Sequence, residues 1–161
     1  MSLNDGGTSS GTFTVASGAT LRFGGGTHNL NNVSGVTSNG RLLVQSGMVN
    51  TTGTLTNGGL LEITGGTLNL GGPTSTVDFA LSSGTLSGVG DLTVSGAATL
   101  TSGSQSGVGH TILLGTTNIA ALTLDAGRVI ENHGTATWTT GSLNMNGNSL
   151  VGAGRIENAA G

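Results

Sequence analysis

The sequence predicts an all-β fold: a single-stranded parallel β-helix, or β-solenoid, of about eight turns of roughly 20 residues each. Three observations predict it. Wording recurs at intervals of roughly 20 residues, apolar residues come in alternating pairs, and glycine-rich breaks separate the pairs.

The recurrences come first. Ser87-Gly88-Val89-Gly90 returns one turn on as Ser106-Gly107-Val108-Gly109. The pattern from Thr85 to Leu92 returns from Ser149 to Ile156, an offset close to three turns. Ile130-Glu131-Asn132 returns as Ile156-Glu157-Asn158. Ser38-Asn39-Gly40-Arg41-Leu42-Leu43 parallels Thr56-Asn57-Gly58-Gly59-Leu60-Leu61, one slightly shorter turn on.

Within the unit, alternation marks half-buried strands. The pairs are Phe13/Val15, Leu21/Phe23, Leu42/Val44, Leu61/Ile63, Leu68/Leu70, Val77/Phe79, Leu92/Val94, Ile112/Leu114, Leu122/Leu124 and Leu143/Met145. Gly-Gly, Asn-Gly and Ser-Gly between them supply turns. Stacked about 4.8 Å apart, eight turns make a rod of roughly 38 Å. Arg22, Leu43, Glu62 and Asp78 then face outward, and Arg22, Leu43 and Glu62 form an outer ladder. Charges occupy only outward or turn positions in this reading. An antiparallel sandwich also has short strands and frequent turns; the repeated wording favours the solenoid.

Composition agrees. The 161 residues suit one domain, with 32 Gly, 1 Pro, no Cys and 7% charged residues. Collagen needs glycine at every third position and abundant proline. Disorder needs low hydrophobicity and high charge, whereas 34% of these residues are hydrophobic. A net charge of −3 with four scattered arginines cannot form the basic stripe that nucleic acid requires. No apolar run reaches the ~20 residues of a transmembrane helix, so no membrane insertion of this segment is expected. Without cysteine there are no disulfides or Cys-ligated zinc. The start carries no signal peptide, and residues 1–9 read as an irregular, disordered lead-in. The whole of 1–161 reads as one segment of a longer repetitive protein.

The segment from Thr85 to Val94, with its Thr-Leu-Ser-Gly-Val-Gly core, resembles the repeats of autotransporter passengers and filamentous-haemagglutinin-like exoproteins. Gly127 to Trp138 resembles a repeat of very large bacterial surface proteins. The likeness covers nearly the whole chain. It implies a right-handed parallel β-helix, export from a Gram-negative cell to its surface, and an adhesive or scaffolding role. The partner would be a host or matrix glycan or protein. No catalytic motif of the family maps onto these residues, and the export route is not assigned.

Some β-helices are carbohydrate-active enzymes, and acid–base work in such an enzyme needs paired carboxylates. Asp5, Glu62, Asp78, Asp91, Asp125, Glu131 and Glu157 are all well separated in the sequence, and read as solvated surface charges. Arg22 and Glu62, two turns apart, would not touch. His28, His110 and His133 each sit beside Gly or Asn and read as solvated turn residues without metal-ligand spacing. Gly88-Val89-Gly90-Asp91 occurs once in a form unlike the tandem calcium repeat. No catalytic, cofactor or metal residue is therefore assigned, no cofactor is expected, and the chain reads as a non-enzyme.

Three further readings concern the surface. Ala136 and Trp138 share a face, and Trp138 reads as a core residue of a wide turn, with stacking on a sugar as the alternative. The Thr pairs 12/14, 54/56, 99/101 and 135/137 suggest ice binding only if they fall on one flat face; their irregular intervals argue against it. Asn32-Val33-Ser34 and Asn50-Thr51-Thr52 match the N-glycosylation pattern by chance. Open strand edges at the ends of such a rod predict end-to-end self-association.

Overall fold

The computed structural model describes residues 1–31, 36–145 and 152–159. It is a three-faced β-solenoid of about eight stacked turns, with every strand pairing parallel. Each turn contributes one strand to each face. In the second turn these are Thr20–Phe23, Thr27–Leu30 and Val36–Ser38, here called faces one, two and three. Face two is an eight-stranded sheet. Leu55–Ile63 and Thr74–Leu81 run through the corner between faces three and one, which joins those two faces into a fourteen-stranded sheet.

The interior is a set of apolar columns. On face one Leu21 stacks on Leu42, Leu61 and Phe79, while Phe23 stacks on Val44, Ile63 and Leu81. On face two Val49 leads to Leu68 and Leu86. Ile63, Leu70, Leu81, Leu86 and Leu100 are wholly buried. Alternation puts one residue in and the next out. The expected outer ladder is present: Arg22 registers with Leu43, Leu43 with Glu62, and Glu62 with Ala80. Leu43 faces out but is only 8% exposed.

Glycine lines the corners because stacked corners leave no room for a side chain. A Cβ on Gly47, whose φ is +73°, would strike the carbonyl of Gly26 one turn below. Gly115 and Gly134 stand in the same relation to Gly96 and Gly115 at another corner. Buried polar residues finish the corner between faces three and one. Ser38 registers with Asn57, and Asn57 with Thr76. Ser38 Oγ accepts from the Gly40 N–H at 3.2 Å, and Asn57 Nδ2 donates to Thr76 Oγ1 at 3.0 Å. Thr76 Oγ1 lies 2.9 Å from Asp78 O and 3.1 Å from Gly59 O, within donating reach of both. These side chains serve backbone groups that lose their ladder partners as the chain turns.

The structure corrects several expectations. Residues 1–9 are not irregular throughout: Ser2–Leu3 and Gly7–Ser9 pair with strands of the second turn. Val77 is 40% exposed, because an irregularity between Thr76 and Asp78 rephases the strand; Phe79 and Leu81 are the inward pair. Ile112 and Leu114 face outward, and Thr111 and Leu113 take the interior. Ser38 registers with Asn57 rather than Thr56, so that turn is longer than the repeated wording implies. The offset of three turns holds, as Leu92 stacks on Thr111, Ile130 and Ile156 in one column. Arg128 overturns the rule that charge stays outside, being 0% exposed.

Candidate functional site

The densest group of titratable side chains lies on the outer surface of face three, in its last turns. His110–Leu113 pairs with Val129–Asn132, which pairs with Arg155–Asn158. Alternation turns Ile112, Glu131 and Glu157 outward in one column. His110 Nδ1 meets Glu131 Oε1, and His133 Nε2 lies 3.4 Å from Glu131 Oε2. The hydrogen bond from His110, with help from His133, holds the Glu131 carboxyl below its ordinary value against a smaller opposing effect of burial. Glu157, the register partner of Glu131, accepts from Arg155 Nε at 2.5 Å. Both carboxylates are thus engaged in ion pairs on a flat surface. The recurrence of Ile130-Glu131-Asn132 as Ile156-Glu157-Asn158 carries this register, although the two acids are more than an ordinary turn apart along the chain.

Glu62, Asp78 and Asp91 also have structural partners. Asp78 Oδ1 accepts from the Ala97 N–H and Asp91 Oδ1 from the His110 N–H, both at 2.8 Å. Each caps a backbone group one turn on, which accounts for Asp91 beside Gly90 without calcium. Glu62 pairs with Arg41 rather than Arg22. Among the described residues, no group of three or more His, Cys, Asp or Glu is placed to hold a metal ion.

Two aromatic expectations change. His28 is not a solvated turn residue. It lies in Thr27–Leu30, is 6% exposed, and meets Phe23 edge-on with ring centroids 5.1 Å apart. Its Nε2–H donates to Gly25 O at 2.9 Å. Trp138 registers with Ile119, at an inward position, yet is 61% exposed because it belongs to the last turn of face one. Its indole N–H donates to Thr140 O at 2.9 Å and Ala120 O at 3.2 Å. Ala136 shares that face and is also exposed.

The Thr pairs scatter as expected. Thr14 and Thr56 lie on face three, while Thr99 and Thr137 lie on face one. Asn32-Val33-Ser34 falls outside the described residues. Asn50 belongs to an amide ladder on face two, and the Thr51 that follows is buried.

Sequence reasoning missed the polar core of the sixth and seventh turns. Arg128 Nη2 donates to Thr111 Oγ1 at 2.9 Å and to His110 O at 3.1 Å; Nη1 reaches Gly90 O at 3.3 Å. Thr111 Oγ1 in turn donates to Gln105 Oε1 at 2.6 Å. Burial pushes the Arg128 guanidinium down to about 10, with the nearby Asp91 charge acting the other way. The side chain thereby ties three turns together through backbone carbonyls.

A concavity of about 350 Å³ lies at the open first turn, among Leu3, Phe13, His28 and Leu30. It is the exposed end of the core rather than a cleft between loops. Comparison with protein-family models, with characterised proteins and with solved structures finds no match.

Proposed function

We propose that this chain is a structural and adhesive rod segment of a secreted Gram-negative surface protein, with no chemistry of its own. One observation carries the reading: turns stack in register behind short corners, and one apolar cluster runs through the interior from Val15 to Ile130, with paired polar residues beside it in the sixth and seventh turns. Such a stack gives length and stiffness, and each added turn meets only its neighbours. Its outer residues are free to vary, which suits contact with a host or matrix glycan or protein. As an isolated segment, the rod would leave strand edges at its ends that favour end-to-end self-association.

A glycan-active module is the second reading, and the adjacency of Glu131 and Glu157 favours it. Strand spacing sets their backbones roughly 4.8 Å apart along the rod, and retaining glycosidases need two carboxyl groups on neighbouring positions of this kind, about 5–5.5 Å apart. Against it stand the ion pairs that engage both acids and the flat setting.

The test is a glycan and host-matrix array run with product release monitored in parallel. Saturable binding to one class without cleavage supports an adhesive segment; neither binding nor turnover supports a spacer. Bond cleavage that Glu131→Gln abolishes overturns the rod reading.

A further inference from the structure

Face two differs from the other faces in what it presents. Its first outer column runs Thr27, Met48, Thr67, Thr85, Ser104 and Thr123, one residue per turn. The second column, two residues on along each strand, runs Asn29, Asn50, Asn69 and Ser87. None of these ten side chains is charged or aromatic; the places two residues on from Ser104 and Thr123 hold Ser106 and Asp125, so the uncharged array ends at the sixth turn. The outer columns of face one carry Arg22, Arg41, Glu62 and Asp78, and that of face three carries Glu131 and Glu157.

The array is also held in place. Asn50 Nδ2 donates to Asn29 Oδ1 at 2.8 Å, and Asn69 Nδ2 to Asn50 Oδ1 at 3.1 Å. Ser87 Oγ donates to Asn69 Oδ1 at 3.4 Å, and the hydroxyls of Thr85 and Ser104 lie 3.0 Å apart. Ladder geometry sets the two repeats of the surface. Groups recur about 4.8 Å apart along the rod and about 6.7 Å apart along each strand.

We propose that face two binds the surface of ice, through water ordered over these two columns. A ligand matched to these ten residues is uncharged and periodic in two directions. The oxygen lattice of a prism face of ice has repeats near both spacings. A sugar polymer would call for aromatic platforms, and these columns hold none. Side chains locked by mutual hydrogen bonds order water with little further loss of entropy on binding. The Thr pairs visible in the sequence do not contribute; the relevant pattern is Thr-x-Asn or Thr-x-Ser, at Thr27/Asn29, Thr67/Asn69 and Thr85/Ser87.

The experiment is ice partitioning of the purified chain. A slowly growing ice hemisphere is fed with wild type, with Thr67→Lys and Thr85→Lys on face two, and with Thr99→Lys on face one. Far-UV circular dichroism checks that each variant keeps its β signature. Wild type and Thr99→Lys are expected in the ice, with Thr67→Lys and Thr85→Lys lost to the liquid. Exclusion of wild type overturns the proposal, as does equal uptake of folded Thr67→Lys and Thr85→Lys. Capture on crystalline cellulose without entry into ice also overturns it, and assigns the face to a polysaccharide. These outcomes leave the rod reading intact, since that reading turns on cleavage.

Discussion

The fourth and fifth turns and the sixth and seventh turns solve the same packing problem differently. In the former, Leu61, Ile63, Leu68, Leu70, Phe79 and Leu81 fill the interior, each no more than 1% exposed. In the latter, Gln105 occupies the column of Leu68 and Leu86, and Thr111 follows Leu92. Ala98 stands where Phe79 stood one turn before. Arg128 then enters the interior beside Thr111. The fold is therefore set by the spacing of corners and the parallel ladders, and its interior accepts polar atoms once they are paired.

The largest effect is expected in the apolar turns. Phe79→Ala removes a fully buried ring and should cost about 3–5 kcal/mol. Urea melts of wild type and variant would measure it. A loss below about 1 kcal/mol would mean that the neighbouring turns collapse into the space.

Arg128→Ala should cost somewhat less, about 2–4 kcal/mol, as it leaves a cavity and strips donors from Gly90 O and His110 O. The same melts compare it with the triple variant Arg128→Met/Thr111→Val/Gln105→Leu. Burial disfavours the guanidinium charge, and Gln105 Nε2 finds no protein acceptor among the described residues. The triple variant should therefore match or exceed wild type, by up to about 4 kcal/mol. A triple variant as weak as Arg128→Ala would show that the polar network itself stabilises these turns.

Much of the rod was legible because alternation and glycine breaks follow from strand and corner geometry. Leu21/Phe23, Leu61/Ile63 and Leu122/Leu124 all point inward as the alternation predicts. Phase was lost wherever a polar residue took an inward place. Thr76 sits inside because Asn57 donates to it, and Thr111 because Arg128 does, so alternation alone puts apolar Val77 and Ile112 on the wrong face. Trp138 was phased correctly, yet it lies in the last turn, where an inward position is exposed. The contact of His110 with Glu131 and the face-two columns were hidden for another reason. Their members meet only across turns, and turns of unequal length blur that register in the sequence.

Gly109→Ala sharpens the comparison at the boundary between the two regions. A Cβ there would strike the Gly90 carbonyl and lie 2.6 Å from Arg128 Nη1. The carbonyl belongs to a stacked corner, so the guanidinium must also shift. A loss of about 2 kcal/mol is expected in thermal or urea unfolding. In the Arg128→Met background the loss should shrink, because one of the two obstructing groups is gone. An unchanged loss would assign the whole effect to the backbone contact.

The smallest expected effect belongs to the outer surface of the polar turns. Glu131 has its carboxyl held below the ordinary value, chiefly by the hydrogen bond from His110. A depressed carboxyl stabilises the fold above the unfolded-state range, about pH 4.3. That stabilisation fades as pH falls through the folded value. The group is partly exposed, so its worth at pH 7 should stay below about 1 kcal/mol. Urea midpoints of wild type and Glu131→Gln should therefore differ slightly at pH 7 and draw together as pH falls below the ordinary carboxyl range and through the lowered folded value. A gap that does not narrow anywhere in the acid range would locate the effect in packing of the Glu131 stem against Ile112 rather than in its charge. The polar turns would then owe their outer stability, like the apolar turns their inner stability, to the register of the columns.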